Sequence, residues 1–473
     1  MTFYFYDVET SGFNPRTARI MQFAGQRTDL NLDPVGNPDN LLIKMTPDVL
    51  PEPGAVLVHG ITPQKTLEQG ITEAEFAKYL TSQVFKPDTI IVGYNNIRFD
   101  NEFIRFILWR NFHDAYEWTW KNDRSTWDLL DTVRMTRALR PSGIEWPFAP
   151  DGKPTNSLEY ISAVNKLDHV DAHDAMSDVK ASIAVAHLLR QKQPKIFDFL
   201  LNIRSKHSIR PLVTKADPLV YTSGRYPSDF LKTTVVVIVA EKVDKSGALM
   251  FDLRIDPGEF KELSVDELAK RWADRSENAP YFPVKALQYN RCPAVAPLSV
   301  LDQASNERLS LHQEIIDDHL EKLQKAMGLG DRLLAALDKM WPPRQPEIVV
   351  DEQKVDEQLY DSLVKNQDKT KMSVVRTAKP EELLELLLDF EDDRLTALLP
   401  LYKARNFSEV LIKEELKGWK EFRRKKLLTG KVSQLDRFYA QVEELNKTPG
   451  LTTEKKHLLE DLKQYGQSVA AAI

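Results

Sequence analysis

The chain begins with "TFYFYDVET", an aromatic and apolar run that carries two carboxylates, Asp7 and Glu9, at its end. Further β-branched or aromatic runs follow in "RIMQFAGQRTDL", "NLLIKM" and "TIIVGY". They alternate with helix-like stretches such as "TEAEFAKYLTSQVF" and "DAMSDVKASIAVAHLL". That alternation predicts an α/β domain with a largely covered sheet over residues 1–190. The polar, proline-containing "RQKQPK" marks its end. From about residue 211 to 300 strand signals dominate, in "TTVVVIVAEKV", "GALMFDLRID" and "YFPVKALQYN", and helical stretches then run through "DRLLAALDKMW". A compact β-rich domain with helical additions, 195–345, is the simplest account. "WPPRQPE" cannot continue a helix, because its three prolines remove backbone donors and restrict their neighbours. Beyond it, over 350–473, the pattern is helical almost to the end.

Composition narrows the class. A chain of 473 residues is too long for one ordinary core, and 42% hydrophobic with 28% charged residues fits a globular protein. No apolar run is long enough to span a membrane, and the N-terminus lacks the basic region of a secretory signal. A single cysteine, Cys292, excludes an intramolecular disulfide framework and points to a reducing cytoplasm. The formal net charge of -6 means that any polyanion must be bound by local patches.

Residues i and i+2 of a strand share a face, so Asp7 and Glu9 project together. Two carboxylates that close repel each other unless a cation lies between them, and hard cations such as Mg²⁺ take carboxylate oxygens. Taken alone, such a pair is more often a solvated strand end. Asp100 follows the buried-looking strand "TIIVG" where a helix begins. His173 stands in the loop entering a second helix, with Asp174 as its N-cap and Asp178 on its first turns. Four carboxylates and a histidine thus sit at element ends of one domain, where chemistry is usually carried.

"DVET", "HGIT" at His59–Thr62, "NNIRFD" with Asn95, Phe99 and Asp100, and "HDAMSD" with His173 and Asp178 resemble the motifs of the DEDDh exonucleases, the DnaQ-like 3'-to-5' superfamily. Longer strings, "YNNIRFDNEF", "RNFHDAYEWTW", "WDLLDTVR", "ALRPSGIEWP" and "YKARNF", are similar to the bacterial exonuclease I family within it. The resemblance implies an α/β RNase H-like exonuclease domain followed by an SH3-like β-rich domain and an all-α C-terminal domain. It implies two Mg²⁺ ions, replaceable by Mn²⁺, on Asp7, Glu9, Asp100 and Asp178, with Asp7 bridging and His173 as general base. The expected activity is release of 5'-mononucleotides from the 3' end of single-stranded DNA, in repair and recombination. A 3'-to-5' exoribonuclease and a non-catalytic DNA-binding scaffold are the alternatives.

Residues 98–146 hold five of the eight tryptophans, interleaved with seven arginines: Arg98, Arg105, Arg110, Arg124, Arg134, Arg137 and Arg140. Stacking faces beside guanidiniums hold single strands without sequence readout. Trp109, Phe112 and Trp127 are expected in the core. The resemblance implies Tyr116 and Trp120 as exposed platforms, and Glu9, Arg105 and Arg134 as further strand contacts. Ser157 stands where relatives carry a substrate-binding arginine, which leaves a weaker hydrogen bond there. The stretch Lys413–Lys431 has eight basic and three acidic residues. It reads either as a solvated helix face or as a site for DNA or for the acidic C-terminal tail of single-stranded DNA-binding protein, a partner the resemblance implies. A monomer is expected.

Overall fold

The computed structural model describes residues 1–167, 174–342 and 349–473. His173 and most of "WPPRQPE" lie outside the described residues. A five-stranded mixed sheet, order β3-β2-β1-β4-β5, organises the first unit, from β1 (Thr2–Thr10), β2 (Ile20–Thr28), β3 (Asp39–Leu42), β4 (Thr89–Gly93) and β5 (Ser125–Asp128). β1 runs parallel to β4 and β4 to β5, while β2 is antiparallel to both β1 and β3.

The aromatic run in β1 is explained by burial on both faces. Tyr4, Tyr6 and Val8 pack with Phe23, Ile91 and Phe103 on one side. Phe3 and Phe5 pack with Trp127, Val179 and Phe197 on the other. Helix α1 (Pro53–His59) follows β3, α2 (Asp100–Arg110) follows β4 and α3 (Leu129–Leu139) follows β5. Then come α4 (Leu158–Val164), α5 (Ala175–Lys192) and α6 (Pro194–Asn202). The expected break at "RQKQPK" is a change of helix at Gln193. α6 bridges two cores, with Phe197 in the first and Leu200 in the second.

The second unit is a wholly antiparallel sheet, order β10-β6-β7-β8-β9, from β6 (Leu219–Thr222), β7 (Thr233–Glu241), β8 (Gly247–Asp252), β9 (Val284–Gln288) and β10 (Ala294–Pro297). Helices Val265–Ala273 and Leu329–Met340 cover one face. The third unit is helical and includes α7 (Asp393–Asn406), α8 (Lys413–Leu428) and α9 (Thr453–Ala471). It packs on the first unit at two places. Leu395, Leu398 and Tyr402 meet Trp109 and Phe112, and Phe438, Leu459 and Leu462 meet Val56 of α1. Among the described residues, no helix is long and apolar enough to cross a membrane.

Candidate metal centre and strand-binding face

Asp7 and Glu9 lie on the face of β1 that also carries Phe3 and Phe5, the face covered by α5. Packing of Val179, Val185 and Leu189 against that face holds α5 in place. The side chain of Asp178 is thereby carried to the pair. Asp7, Glu9 and Asp178 each present an oxygen within 4.8 Å of the others. At an effective dielectric of about 20, like charges at that separation repel by on the order of 3 kcal/mol. Burial, then Asp100, Asp178 and Glu9, holds Asp7 well above the ordinary carboxylate range. Glu9 is pushed up to about 8 by burial and by Asp178 and Asp100. An all-oxygen donor set whose charges are unfavourable without a partner suits a hard divalent cation.

Asp100 opens α2 beyond the C-terminal end of β4. It is buried, and although backbone N–H groups of its own residue and Val8 hold it, burial still pushes it up to about 7. It stands beside the three-oxygen group without belonging to it. Asn95, in the left-handed region at φ 69, donates its N–H to Asp128 Oδ1 at 2.9 Å and turns the chain toward Asp100. "HGIT" serves the strand end: Gly60 caps α1 at φ 72, and the His59 ring accepts from Ile61 N–H and donates to the Thr10 carbonyl at 3.2 Å. Asp174 caps α5 by accepting from Ser177 N–H, and also accepts from Gln22, the residue paired with Glu9 across β1 and β2.

Of the expected strand contacts, Arg105 lies on α2 and Arg134 on α3. Trp109, Phe112 and Trp127 are core, and Trp120 is 61% exposed. Tyr116 is half-buried, with the Arg105 guanidinium 5.8 Å from its ring centroid. Arg105 pairs with Glu102 at 2.6 Å, and Tyr360 of the third unit hydrogen-bonds the same carboxylate. Sequence spacing carries no sign of Tyr360, because only the tertiary fold brings it there. Arg98 and Arg134 share Asp131, at 2.9 and 2.6 Å. Ser157 is exposed and caps α4 by accepting from Tyr160 N–H.

Four of the seven arginines expected to face phosphates are structural instead. Arg110 is buried on Glu73 at 2.6 Å, and Arg137 donates to the carbonyls of Thr155 and Pro147 between the rings of Trp146 and Phe148. Arg124 and Arg140 donate to backbone carbonyls. The basic stretch is likewise divided. Arg423 is buried on the carbonyls of Pro47 and Ala472, and Lys426 on Asp48, whereas Arg424 is exposed. Charge reversal at Arg423 would therefore unseat α8 before it reported on a partner.

Carboxylates able to coordinate a divalent metal converge at the end of the central strand of a mixed sheet, and the family model described as Exonuclease matches residues 4–186, which makes the first unit a nuclease domain. The Exonuclease I SH3-like domain model matches residues 204–339, and the Exonuclease I C-terminal domain model matches 353–469. The chain is 36% identical to exodeoxyribonuclease I of Haemophilus influenzae over 473 residues, covering 98% of each. Among solved structures, Escherichia coli exonuclease I in complex with a dA16 oligonucleotide matches with TM-score 0.93, at 37% identity and 99% coverage of each chain. A structure of SSB/exonuclease I with the inhibitor CFAM matches with TM-score 0.89, at 36% identity and the same coverage. This chain belongs to the exodeoxyribonuclease I family. It is a phosphodiester hydrolase built as an RNase H-like exonuclease domain, an SH3-like domain and an all-α domain.

Proposed function

We propose that the chain degrades single-stranded DNA from its 3' end, releasing 5'-mononucleotides, in the service of repair and recombination. The three oxygens of Asp7, Glu9 and Asp178, held by β1 and α5 in a member of this family, carry the reading. Asp7, Glu9, Asp100 and Asp178 would hold two Mg²⁺ ions, and Mn²⁺ would substitute. Bound there, the ions supply Lewis-acid activation of water and charge stabilisation of the leaving 3'-oxygen. His173, one residue before the N-cap Asp174 in sequence, takes the proton of the attacking water, a task suited to an ordinary imidazole at neutral pH. Arg105, Arg134 and Ser157 hold phosphates, and Tyr116 and Trp120 stack bases. The three domains span 1–190, 195–345 and 350–473, and single-stranded DNA-binding protein is the partner that the SSB/exonuclease I relative supports.

One gel assay tests the reading: a 3'-tailed DNA, its blunt duplex and the matching RNA, each with Mg²⁺ or EDTA. Mg²⁺-dependent release of mononucleotides from the single-stranded DNA tail alone is the expected outcome. Equal degradation of RNA would refute it.

A further inference from the structure

Glu102 lies on α2, two residues after Asp100 and three before Arg105. An acid–arginine pair at i, i+3 on an exposed helix is ordinary and worth little. This pair is not exposed: the Glu102 side chain is 13% accessible and that of Arg105 16%. Both carboxylate oxygens are engaged across domain boundaries. Oε1 accepts from Arg105 Nη1 at 2.6 Å and lies 3.4 Å from Nη2 of Arg291, on the connection between β9 and β10 of the SH3-like domain. Oε2 accepts from the Tyr360 hydroxyl of the helical domain. One carboxylate thus joins all three domains.

Tyr360 is itself fixed, with its ring edge-on to Phe106 of α2 at 5.8 Å and 6.3 Å from the ring of Tyr116. Its hydroxyl stands 3.5 Å from Arg105 Nη1, so that amino group faces Glu102 and Tyr360 together. Arg105 Nη2 makes no hydrogen bond among the described residues. A guanidinium holds its donors in a rigid planar fork, so fixing Nη1 fixes where Nη2 points. At 1.5 Å per residue, Arg105 lies about 7.5 Å along the helix axis from Asp100. A donor held in reserve therefore stands close to the metal site.

We propose that Glu102 is a positioning residue: held by Tyr360, it sets Arg105 so that the unused Nη2 meets one phosphate of the strand beside the metal site. The helical domain thereby fixes where that phosphate stands. This rests on the single-strand reading above, in which Arg105 holds a phosphate. The competing account makes Glu102 a tie between domains and nothing more. Such a tie needs only Tyr360 and Arg291, whereas the 2.6 Å contact to Arg105 joins two residues of one helix and serves the guanidinium alone.

The test uses full-length protein. In EDTA, a 16-mer oligonucleotide carrying one neutral methylphosphonate linkage, moved stepwise from the 3' end, maps the phosphates that matter. Wild type should lose affinity at one linkage that Arg105→Ala no longer senses. Glu102→Ala and Tyr360→Phe should blunt that loss while binding the unmodified 16-mer within a fewfold of wild type. In Mg²⁺, both should lower kcat more than they raise KM, by about tenfold for Glu102→Ala. Adding Glu102→Ala to Arg105→Ala should cost nothing further, because the two act as one unit. Tyr360→Phe removes a single oxygen and keeps the ring on Phe106, so it reports on the anchor even if Glu102→Ala fails to fold. A scan in which no linkage depends on Arg105, or in which Tyr360→Phe keeps the wild-type pattern and kcat, overturns the positioning role. So does additive loss in the double variant, or a Glu102→Ala protein that melts lower but keeps pattern and kcat, which would leave only the tie. Wild-type protein that shows the expected pattern in EDTA yet cleaves no strand in Mg²⁺ overturns the function and leaves the positioning role standing.

Discussion

Asp7 is where stability and chemistry pull apart. Buried beside Glu9, Asp100 and Asp178, its charge is unfavourable unless a cation is present. Asp7→Asn should therefore abolish cleavage, leave single-strand binding within a fewfold of wild type, and raise the metal-free melting temperature by a few degrees. Calorimetry in EDTA, with and without added Mg²⁺, checks this: the wild type should gain stability from Mg²⁺ and the variant should gain far less. A metal-free variant that melts below the wild type would remove the repulsion argument. Asp7 and Glu9 were legible because strand alternation alone places them together. Tyr360 was not, because no local period links it to the Glu102 and Arg105 it joins. Arg110 and Arg137 misled for a related reason, since a guanidinium that satisfies buried carboxylate or carbonyl oxygens looks in sequence like one that meets phosphate.

At the scale of elements, α5 is the lever that brings Asp178 to β1, and its N-cap fixes where the helix begins. Asp174 satisfies Ser177 N–H and Gln22 at once, so it ties the start of α5 to the strand paired with Glu9. Asp174→Ala should cost about 1 kcal/mol of stability. It should also lower kcat more than strand affinity, while Asp174→Asn, which keeps a capping oxygen, should recover most of both. Urea denaturation and steady-state kinetics measure the two effects. Equal loss in both variants would show that charge rather than capping matters. Helix α8 offers a second contrast. Arg423→Ala strands the carbonyls of Pro47 and Ala472 and should destabilise by about 1 to 3 kcal/mol. Arg424→Ala, exposed beside Glu421, should change stability by less than about 0.5 kcal/mol. The long strands β1, β2, β7 and β8 were plain from their apolar runs. The four-residue strands β5, β6 and β10 were not, because strands that short owe their definition to the neighbours they pair with.

The whole molecule depends on a buried ionic junction between the nuclease and helical domains. Arg19, Arg110, Arg405 and Lys426 meet Asp48, Glu73 and Asp356, with Arg405 2.7 Å from Asp48 and 2.8 Å from Asp356. Arg405 belongs to "YKARNF", whose role in the sequence was open. Its neighbour Asn406 accepts from Ala74 N–H, and Tyr402 packs on Phe112, so the whole string is a docking surface. Arg19 lies one residue before β2 and exchanges hydrogen bonds with Ser11, just beyond Glu9. Packing of the helical domain is thereby linked to the end of β1, the strand that carries Asp7 and Glu9. Removing one partner of a buried pair leaves the others uncompensated, so Arg405→Met should cost about 3 to 5 kcal/mol.

That change has a characteristic pH dependence. Burial alone would raise Asp48, Asp356 and Glu73, but Arg405, Lys426, Arg19 and Arg110 outweigh it and hold all three below the ordinary range. A depressed carboxylate contributes stability that is fully present above its unfolded pKa, near 4, and is lost as pH falls through the folded value. The wild type should therefore lose stability progressively as pH falls from about 5 to below about 2. Arg405→Met should lose less over the same window, because its carboxylates are no longer as strongly depressed. The metal-site carboxylates titrate in both proteins, so the difference between the two urea-denaturation series isolates the junction. Parallel pH curves would mean that Arg405 acts by packing, and the docking of the helical domain on the first unit would then rest on the apolar contacts of Trp109 and Phe112.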